Sequence, residues 1–210
     1  MSPQFTSFED AWEAFSAAER MESFLDAQPD KPAFLLTWHI SVTPAVAEAT
    51  SELRESLRAL GHFVILPSDL LHVSVFPVGT TASPEPRWEK DELTRGRRAW
   101  RRMRRFAVRF GPVNCFPTAV VAEVHDAGPF EAVGLLREGP PPPTFLPHMT
   151  LAIAASRRPA ADVRPVLQPL RADGAIFGEQ EVRAFELRRL RVGPGSLLEP
   201  WTVVGRVDLD

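Results

Sequence analysis

Two short segments of this chain share one pattern: LLHVSVFPVG at residues 70–79 and LPHMTLAIA at residues 146–154. Each contains a histidine, an apolar residue, a hydroxyl residue and a second apolar residue, as HVSV (72–75) and HMTL (148–151). Short runs of apolar and β-branched residues that are bounded by turn residues are typical of buried strands. We therefore predict two strands that carry the same four-residue pattern, one in each half of the chain.

Strand geometry places the polar residues of each pattern on one face, because successive side chains point to opposite sides. His72 and Ser74 therefore share one face of the first strand. His148 and Thr150 share one face of the second, while the intervening apolar residues face the core. A single His-x-Ser or His-x-Thr is usually structural. Two copies in corresponding halves of the chain are much less expected by chance, and they favour a shared functional surface.

The elements around these strands follow the order strand, helix, strand, strand, twice over. Apolar spacing and turn residues predict helices at 7–27, 43–60, 129–138 and 160–170, and strands at 33–42, 62–66, 71–78, 106–110, 118–124, 145–154, 181–191 and 200–208. A polar connection is predicted at 79–94, and a stiff proline loop at 140–143. This order predicts an α+β fold with a weak internal repeat.

The repeat predicts a bilobal architecture of two pseudo-symmetric lobes, each with an antiparallel sheet flanked by helices, that face each other across a cleft. Residues 1–30 are predicted to be a helical N-terminal extension, and residues 31–210 a single bilobal domain. The 210 residues are 44% hydrophobic, which is enough to bury a core. We expect a monomer.

Composition excludes several classes of protein. The net charge of −3 and the pI of about 6.0 argue against a protein that coats nucleic acid through bulk charge. A single cysteine, Cys115, excludes an internal disulfide and a multi-cysteine zinc site. No apolar run reaches the ~18–20 residues of a membrane span, and the acidic N-terminus is unlike a signal peptide. We expect a cytoplasmic protein that does not contact a membrane.

Paired histidines and hydroxyls suit the cleavage or transfer of a phosphodiester. One proton must leave the attacking oxygen and one must reach the leaving oxygen. Imidazole can do either near neutral pH, because its ordinary pKa is about 6.5. Hydroxyls can donate hydrogen bonds to the phosphate oxygens, where charge builds in the transition state. The scheme requires no metal and no other cofactor, and no His-x-x-x-His or cysteine pair indicates zinc.

With these motifs the sequence resembles the two-histidine phosphoesterase superfamily, and more closely its 2′-5′ RNA ligase-like, cyclic phosphodiesterase branch. That family carries two His-hydrophobic-Ser/Thr-hydrophobic motifs in a bilobal α+β fold. The resemblance implies that His72 and His148 are the general acid and base, without assigning which is which. It also implies that Ser74 and Thr150 hold the phosphate.

The resemblance implies hydrolysis of a 2′,3′-cyclic or related phosphate on an RNA terminus or a small nucleotide. A 2′-5′ RNA ligase is the alternative enzyme, and a module that binds nucleotides or RNA ends without turnover is the alternative from another class. Many ligase-type members carry a basic residue where this chain has Ile153, which weakens the ligase alternative. Arg157 and Arg158 follow, and we expect that they could reach phosphate from their loop.

Other residues are candidates for substrate binding. Trp38 and His39 lie on the first predicted strand and must face opposite sides, so at most one of them lines the cleft. Base stacking by Trp38 is one alternative, although core packing is the favoured one. The arginine-rich segment at 95–109 could track an RNA backbone, but a solvated helix face is favoured. Trp201 is expected to pack at a lobe edge.

Overall fold

A computed structural model describes residues 5–29, 31–193, 196 and 198–210. The helices within them are α1 (Phe8–Ala17), α2 (Pro44–Ala49), α3 (Ser51–Ala59), α4 (Pro86–Trp100), α5 (Ala127–Arg137) and α6 (Arg164–Ala172). The strands are β1 (Arg20–Met21), β2 (Ala33–Ser41), β3 (Phe63–Ile65), β4 (His72–Thr81), β5 (Phe106–Phe110), β6 (Val113–Phe116), β7 (Ala119–Glu123), β8 (His148–Ala154), β9 (Arg158–Pro159), β10 (Gly178–Val182), β11 (Ala184–Val192) and β12 (Thr202–Asp208).

The main sheet is antiparallel and has the strand order β12-β11-β2-β4-β8-β7-β6, with β3 paired to β8. Its strands form two sets of four that meet at β4 and β8, through the single residue pair Val73 and Met149. Two further pairs, β1 with β9 and β5 with β10, form separate two-stranded sheets. The predicted α+β class is confirmed, and the division into two pseudo-symmetric lobes stays a prediction.

One face of β2 packs against α4 to form a large part of the core. Alternate residues Leu36, Trp38 and Ile40 are almost fully buried on that face. The indole of Trp38 meets Trp100 edge-on, with ring centroids 4.7 Å apart. Helix α4 approaches closely because Gly96 has no side chain, and a Cβ there would lie 2.5 Å from the Trp38 ring. Helix α4 therefore covers the face of β2 opposite to His39.

The predicted polar connection at 79–94 is wrong, because α4 already begins at Pro86. Its buried side includes the carboxylates Glu89 and Glu92. These charged residues interrupt the apolar periodicity by which a buried helix is predicted. Both carboxylates have partners in the fold. Glu92 accepts the indole N–H of Trp38 at 2.6 Å, and Glu89 lies 2.6 Å from the guanidinium of Arg189. A buried polar residue that is satisfied by tertiary contacts looks like a surface residue in a sequence pattern.

Other element boundaries also differ from the prediction. Helix α1 ends at Ala17, ten residues early, because the chain turns there to pair β1 with β9. The predicted helix at 43–60 is divided at Thr50, the strand β6 was missed, and the predicted strand at 181–191 is two strands, β10 and β11. Residues 1–4 and 30 of the predicted extension lie outside the described residues. In the described part of the chain, no helix combines the length and apolarity needed to cross a membrane.

Candidate active site

The two predicted motifs line one cavity of about 450 Å³. His72 and Ser74 reach it from β4, and His148 and Thr150 reach it from β8. Strands β4 and β8 pair at Val73 and Met149, which point into the core. The residues that flank this pair therefore project to the opposite face, where they are close neighbours. The structure thus brings all four predicted residues to the same surface.

A backbone carbonyl two residues earlier in the chain orients each imidazole. The Nδ1 of His72 lies 2.8 Å from the carbonyl of Leu70, and the Nδ1 of His148 lies 2.6 Å from the carbonyl of Leu146. A carbonyl can only accept, so Nδ1 carries the proton in each ring and donates it. In the neutral ring Nε2 is then the acceptor. The Nε2 of His72 lies 3.1 Å from the Ser74 hydroxyl, which donates to it.

Aromatic side chains hold both histidine rings in place. His39 stacks on His72 with a centroid distance of 4.1 Å, and Trp201 meets the same ring edge-on at 4.6 Å. Phe116 meets His148 edge-on at 4.8 Å. Rings that are packed on their faces and edges have few alternative orientations. The Nε2 atoms are therefore presented to the cavity by packing as well as by hydrogen bonds.

Burial shifts the acidity of both histidines. Burial lowers the pKa of His72 to about 4, although the hydrogen bond to Leu70 acts to raise it. The positive charge of Arg188 contributes to the same lowering. Burial also lowers the pKa of His148, against its bond to Leu146. Both rings are therefore neutral in the free protein at neutral pH, and an anion bound between them would raise both pKa values.

His39 lines the cavity and Trp38 does not. His39 is 1% exposed, and its buried Nδ1 has no hydrogen-bond partner among the described residues. Burial lowers the pKa of His39 well below its ordinary value, and His72 and Arg188 lower it further. Trp38 is fully buried on the other face of β2, against α4. The substrate-binding role considered for Trp38 is therefore wrong, and its predicted core packing is confirmed.

The two predicted loop arginines do not line the cavity either. Arg157 lies 3.0 Å from the carboxylate of Glu22. Arg158 belongs to β9, where its backbone pairs with Met21 and its guanidinium lies 3.4 Å from the hydroxyl of Ser156. In the free protein these arginines contact the N-terminal segment or their own loop, and their contact with phosphate stays a prediction.

Several cavity residues were not found in the sequence. Trp201 was expected only to pack at an edge, while Phe116 and Arg191 carried no signal; all three line the cavity. Each comes from an element distant in sequence from the motifs, so no local pattern could have identified it. In the described part of the chain, no group of three or more His, Cys, Asp or Glu side chains is arranged to hold a metal ion.

Solved structures with the same architecture identify the fold. TT0787 of Thermus thermophilus has a TM-score of 0.64 over 83% of this chain and 97% of its own, at 22% identity. E. coli LigT in its apo form has a TM-score of 0.57 over 86% of this chain and 99% of its own, at 18% identity. This chain has the fold of E. coli LigT. The resemblance inferred from the motifs is thereby confirmed at the level of the fold.

Two further structures extend the comparison with LigT. The complex of E. coli LigT with 3′-AMP has a TM-score of 0.57 at 16% identity, over 86% of this chain and 99% of its own. A structure described as a phosphoesterase has a TM-score of 0.52 at 18% identity, over 83% and 98%. No protein-family profile matches the sequence of this chain, and no curated protein matches it. The likeness to LigT therefore rests on the structure.

Proposed function

We propose that this chain is a two-histidine phosphodiesterase that hydrolyses a 2′,3′-cyclic or related phosphate with His72 and His148 as its acid–base pair. The observation that carries the proposal is the shared cavity, in which two imidazoles with the same Nδ1 anchorage present Nε2 to one space. The fold of LigT and of a solved phosphoesterase supports the proposal, as does the complex of LigT with 3′-AMP.

The proposed reaction needs two proton transfers on opposite sides of phosphorus. A neutral imidazole takes a proton from water through Nε2, and the water oxygen forms the new bond to phosphorus. The protonated imidazole gives its Nε2 proton to the ribose oxygen as the P–O bond of the ring breaks. Each positioned transfer typically accelerates the reaction by ~10²–10⁴-fold. Nδ1 stays bonded to the carbonyl of Leu70 or Leu146 throughout, which keeps each ring in register.

The hydroxyls of Ser74 and Thr150 complete the site by donating to the non-bridging oxygens. Both lie two residues after their histidine on the same strand face, so imidazole and hydroxyl contact neighbouring atoms of one phosphate. When a phosphate takes the place of the Ser74 hydroxyl at Nε2 of His72, that hydroxyl can turn and donate to the anion. Donors fixed by strands require little reorganisation when charge develops.

The value of kcat/KM is expected to peak below pH 6.5. The working state has one neutral and one protonated imidazole, and the profile of kcat/KM reports the free enzyme. The pKa of His72 is about 4, and that of His148 lies below its ordinary value. Because both pKa values lie below 6.5, both rings are mostly neutral above that pH, and kcat/KM should fall about tenfold per pH unit there. Below about pH 4 His72 is mostly protonated and cannot act as the base.

Steady-state assays on a 2′,3′-cyclic mononucleotide across this range would test the profile. Circular dichroism at each pH would verify that the protein stays folded. A maximum above pH 7.5 would contradict the acid–base pair, because both imidazoles are then neutral.

The proposed function is tested by incubating purified protein with 2′,3′-cyclic mononucleotides and with 2′-5′ dinucleotides, in the presence of a chelator. We expect ring opening of the cyclic phosphate that survives the chelator. Loss of activity with the chelator would contradict the metal-free mechanism. Tight binding without turnover would instead support a nucleotide-binding module, and joining of RNA ends would support a ligase.

A further inference from the structure

The cavity has few charged side chains in its lining. Half of its lining residues are apolar, and they include Leu35, Leu190, Val192 and Trp201. Arg191 is the one permanently charged side chain among the described lining residues. A ligand with several phosphates would bury charge against apolar walls, which costs free energy unless each charge finds a partner.

The nearby arginines already have acidic partners. Arg191 lies 3.1 Å from the carboxylate of Glu199, and both side chains are more than 40% exposed. Arg188, behind Trp201, lies 2.6 Å from the carboxylate of Glu186 and donates to the hydroxyl of Ser41 at 2.7 Å. Each guanidinium is thus paired with a carboxylate, which reduces the positive charge that it adds to the cavity. In the proposed working state the histidine pair carries one imidazolium, which balances one negative charge.

The helical part of the arginine-rich segment lies against the face of the sheet opposite to the cavity, where it cannot contact a phosphate bound at the histidines. Strand β2 presents His39 to the cavity and Trp38 to the opposite face, where Trp38 packs on Gly96 and Trp100 of α4. The exposed arginines at the end of that helix and beyond it include Arg97 and Arg98. A nucleic-acid strand with its end at the histidines would have to pass around the sheet to reach them.

From these observations we infer that the cavity selects a small phosphodiester with a single negative charge and an aromatic or apolar group, and discriminates against the end of an RNA strand. This inference rests on the proposed function and narrows its substrate. The ring of Trp201 is 4.6 Å from that of His72 and 5.2 Å from that of His39, so it forms a wall beside the reacting phosphate. The cavity volume of about 450 Å³ lies in the range of small-molecule sites.

The test compares a 2′,3′-cyclic mononucleotide with the same cyclic phosphate at the 3′ end of a hexanucleotide, both at about 50 and about 200 mM salt. We expect the mononucleotide to have a kcat/KM at least equal to that of the oligonucleotide. We also expect a change of less than about twofold with salt, whereas a protein that contacts 6–10 phosphates loses about 10³–10⁵-fold in affinity over this range. A more than tenfold preference for the oligonucleotide with steep salt dependence would overturn the inference.

Variants of Trp201 and of two arginines on α4 test which residues set the preference for a small substrate. Trp201→Ala should raise KM for the mononucleotide about tenfold, because it removes the stacking of the base on the indole. Trp201→Phe should restore most of the lost affinity. The paired change Arg97→Gln and Arg98→Gln should leave kcat/KM for the oligonucleotide unchanged. A fall of tenfold or more in that variant would overturn the inference, because it would place the strand on α4.

The two proposals fail in different ways. The oligonucleotide could be turned over much faster than the mononucleotide, in a reaction that depends on His72 and His148. That result would support the phosphodiesterase proposal and contradict the proposed preference for a small substrate. Absence of histidine-dependent turnover on both substrates would overturn the phosphodiesterase and the inference together.

Discussion

Replacing His72 or His148 with alanine is expected to lower kcat on a 2′,3′-cyclic mononucleotide by about 10²–10⁴-fold. Each imidazole is proposed to carry one proton transfer, and the remaining ring cannot perform both at the same time. Because the two act as a unit, the double variant should lose little more than the worse single variant. Single-turnover measurement with excess enzyme separates this loss in the chemical step from any change in KM.

His125→Gln is the matched control for those two variants. His125 lies outside the cavity, where its Nε2 is 2.5 Å from the carboxylate of Glu123. Glutamine can still donate a hydrogen bond to that carboxylate, so kcat should stay within about twofold of the parent protein. Retention of more than a tenth of the parent kcat in both His72→Ala and His148→Ala would exclude the proposed mechanism.

Replacing Trp38 with alanine is expected to lower the free energy of unfolding by about 3–5 kcal/mol. The indole is fully buried between β2 and α4, and its removal leaves a large cavity against Trp100. It also leaves the buried carboxylate of Glu92 without its indole donor, with the guanidinium of Arg95 as its remaining partner. Chemical denaturation monitored by circular dichroism would measure the loss.

Trp38→Phe separates packing from hydrogen bonding at the same position. Phenylalanine keeps an aromatic ring but cannot donate to Glu92, so we expect a smaller loss of about 1–3 kcal/mol. The value of kcat/KM should be unchanged in this variant, because the ring lies on the face of β2 opposite to the cavity. A destabilisation by Trp38→Ala of less than about 1 kcal/mol would contradict the buried position, and a large loss of kcat/KM in Trp38→Phe would contradict the assigned face.

The sequence predicted the strand cores more accurately than the helices. The predicted strands at 33–42 and 71–78 match β2 and β4 closely, because nearly continuous apolar and β-branched runs have few alternative conformations. Helix α4 was recognised only near its end, because Glu89 and Glu92 occupy its buried side. Local composition cannot reveal that a carboxylate will be buried when its partner is a tryptophan or an arginine from another element.

The pairing of chemical groups within each motif could be predicted before the fold was known. A period of two along a strand fixes His72 with Ser74, and His148 with Thr150, by backbone geometry alone. The matching leucine carbonyls two residues before each histidine also follow from the local chain, although only the coordinates revealed their bonds to Nδ1.

The surroundings of those groups depend on how the strands and helices pack together. Strand order places β2 beside β4 and β11 beside β2, and thereby brings His39 and Arg191 to histidines that are distant in sequence, together with Trp201 from the residue before β12. The same order sends the arginines of α4 to the opposite face of the sheet. Pairing between distant strands depends on long-range contacts whose energies no local pattern encodes. The two motifs could therefore be predicted from the sequence, and the lining of their cavity could not.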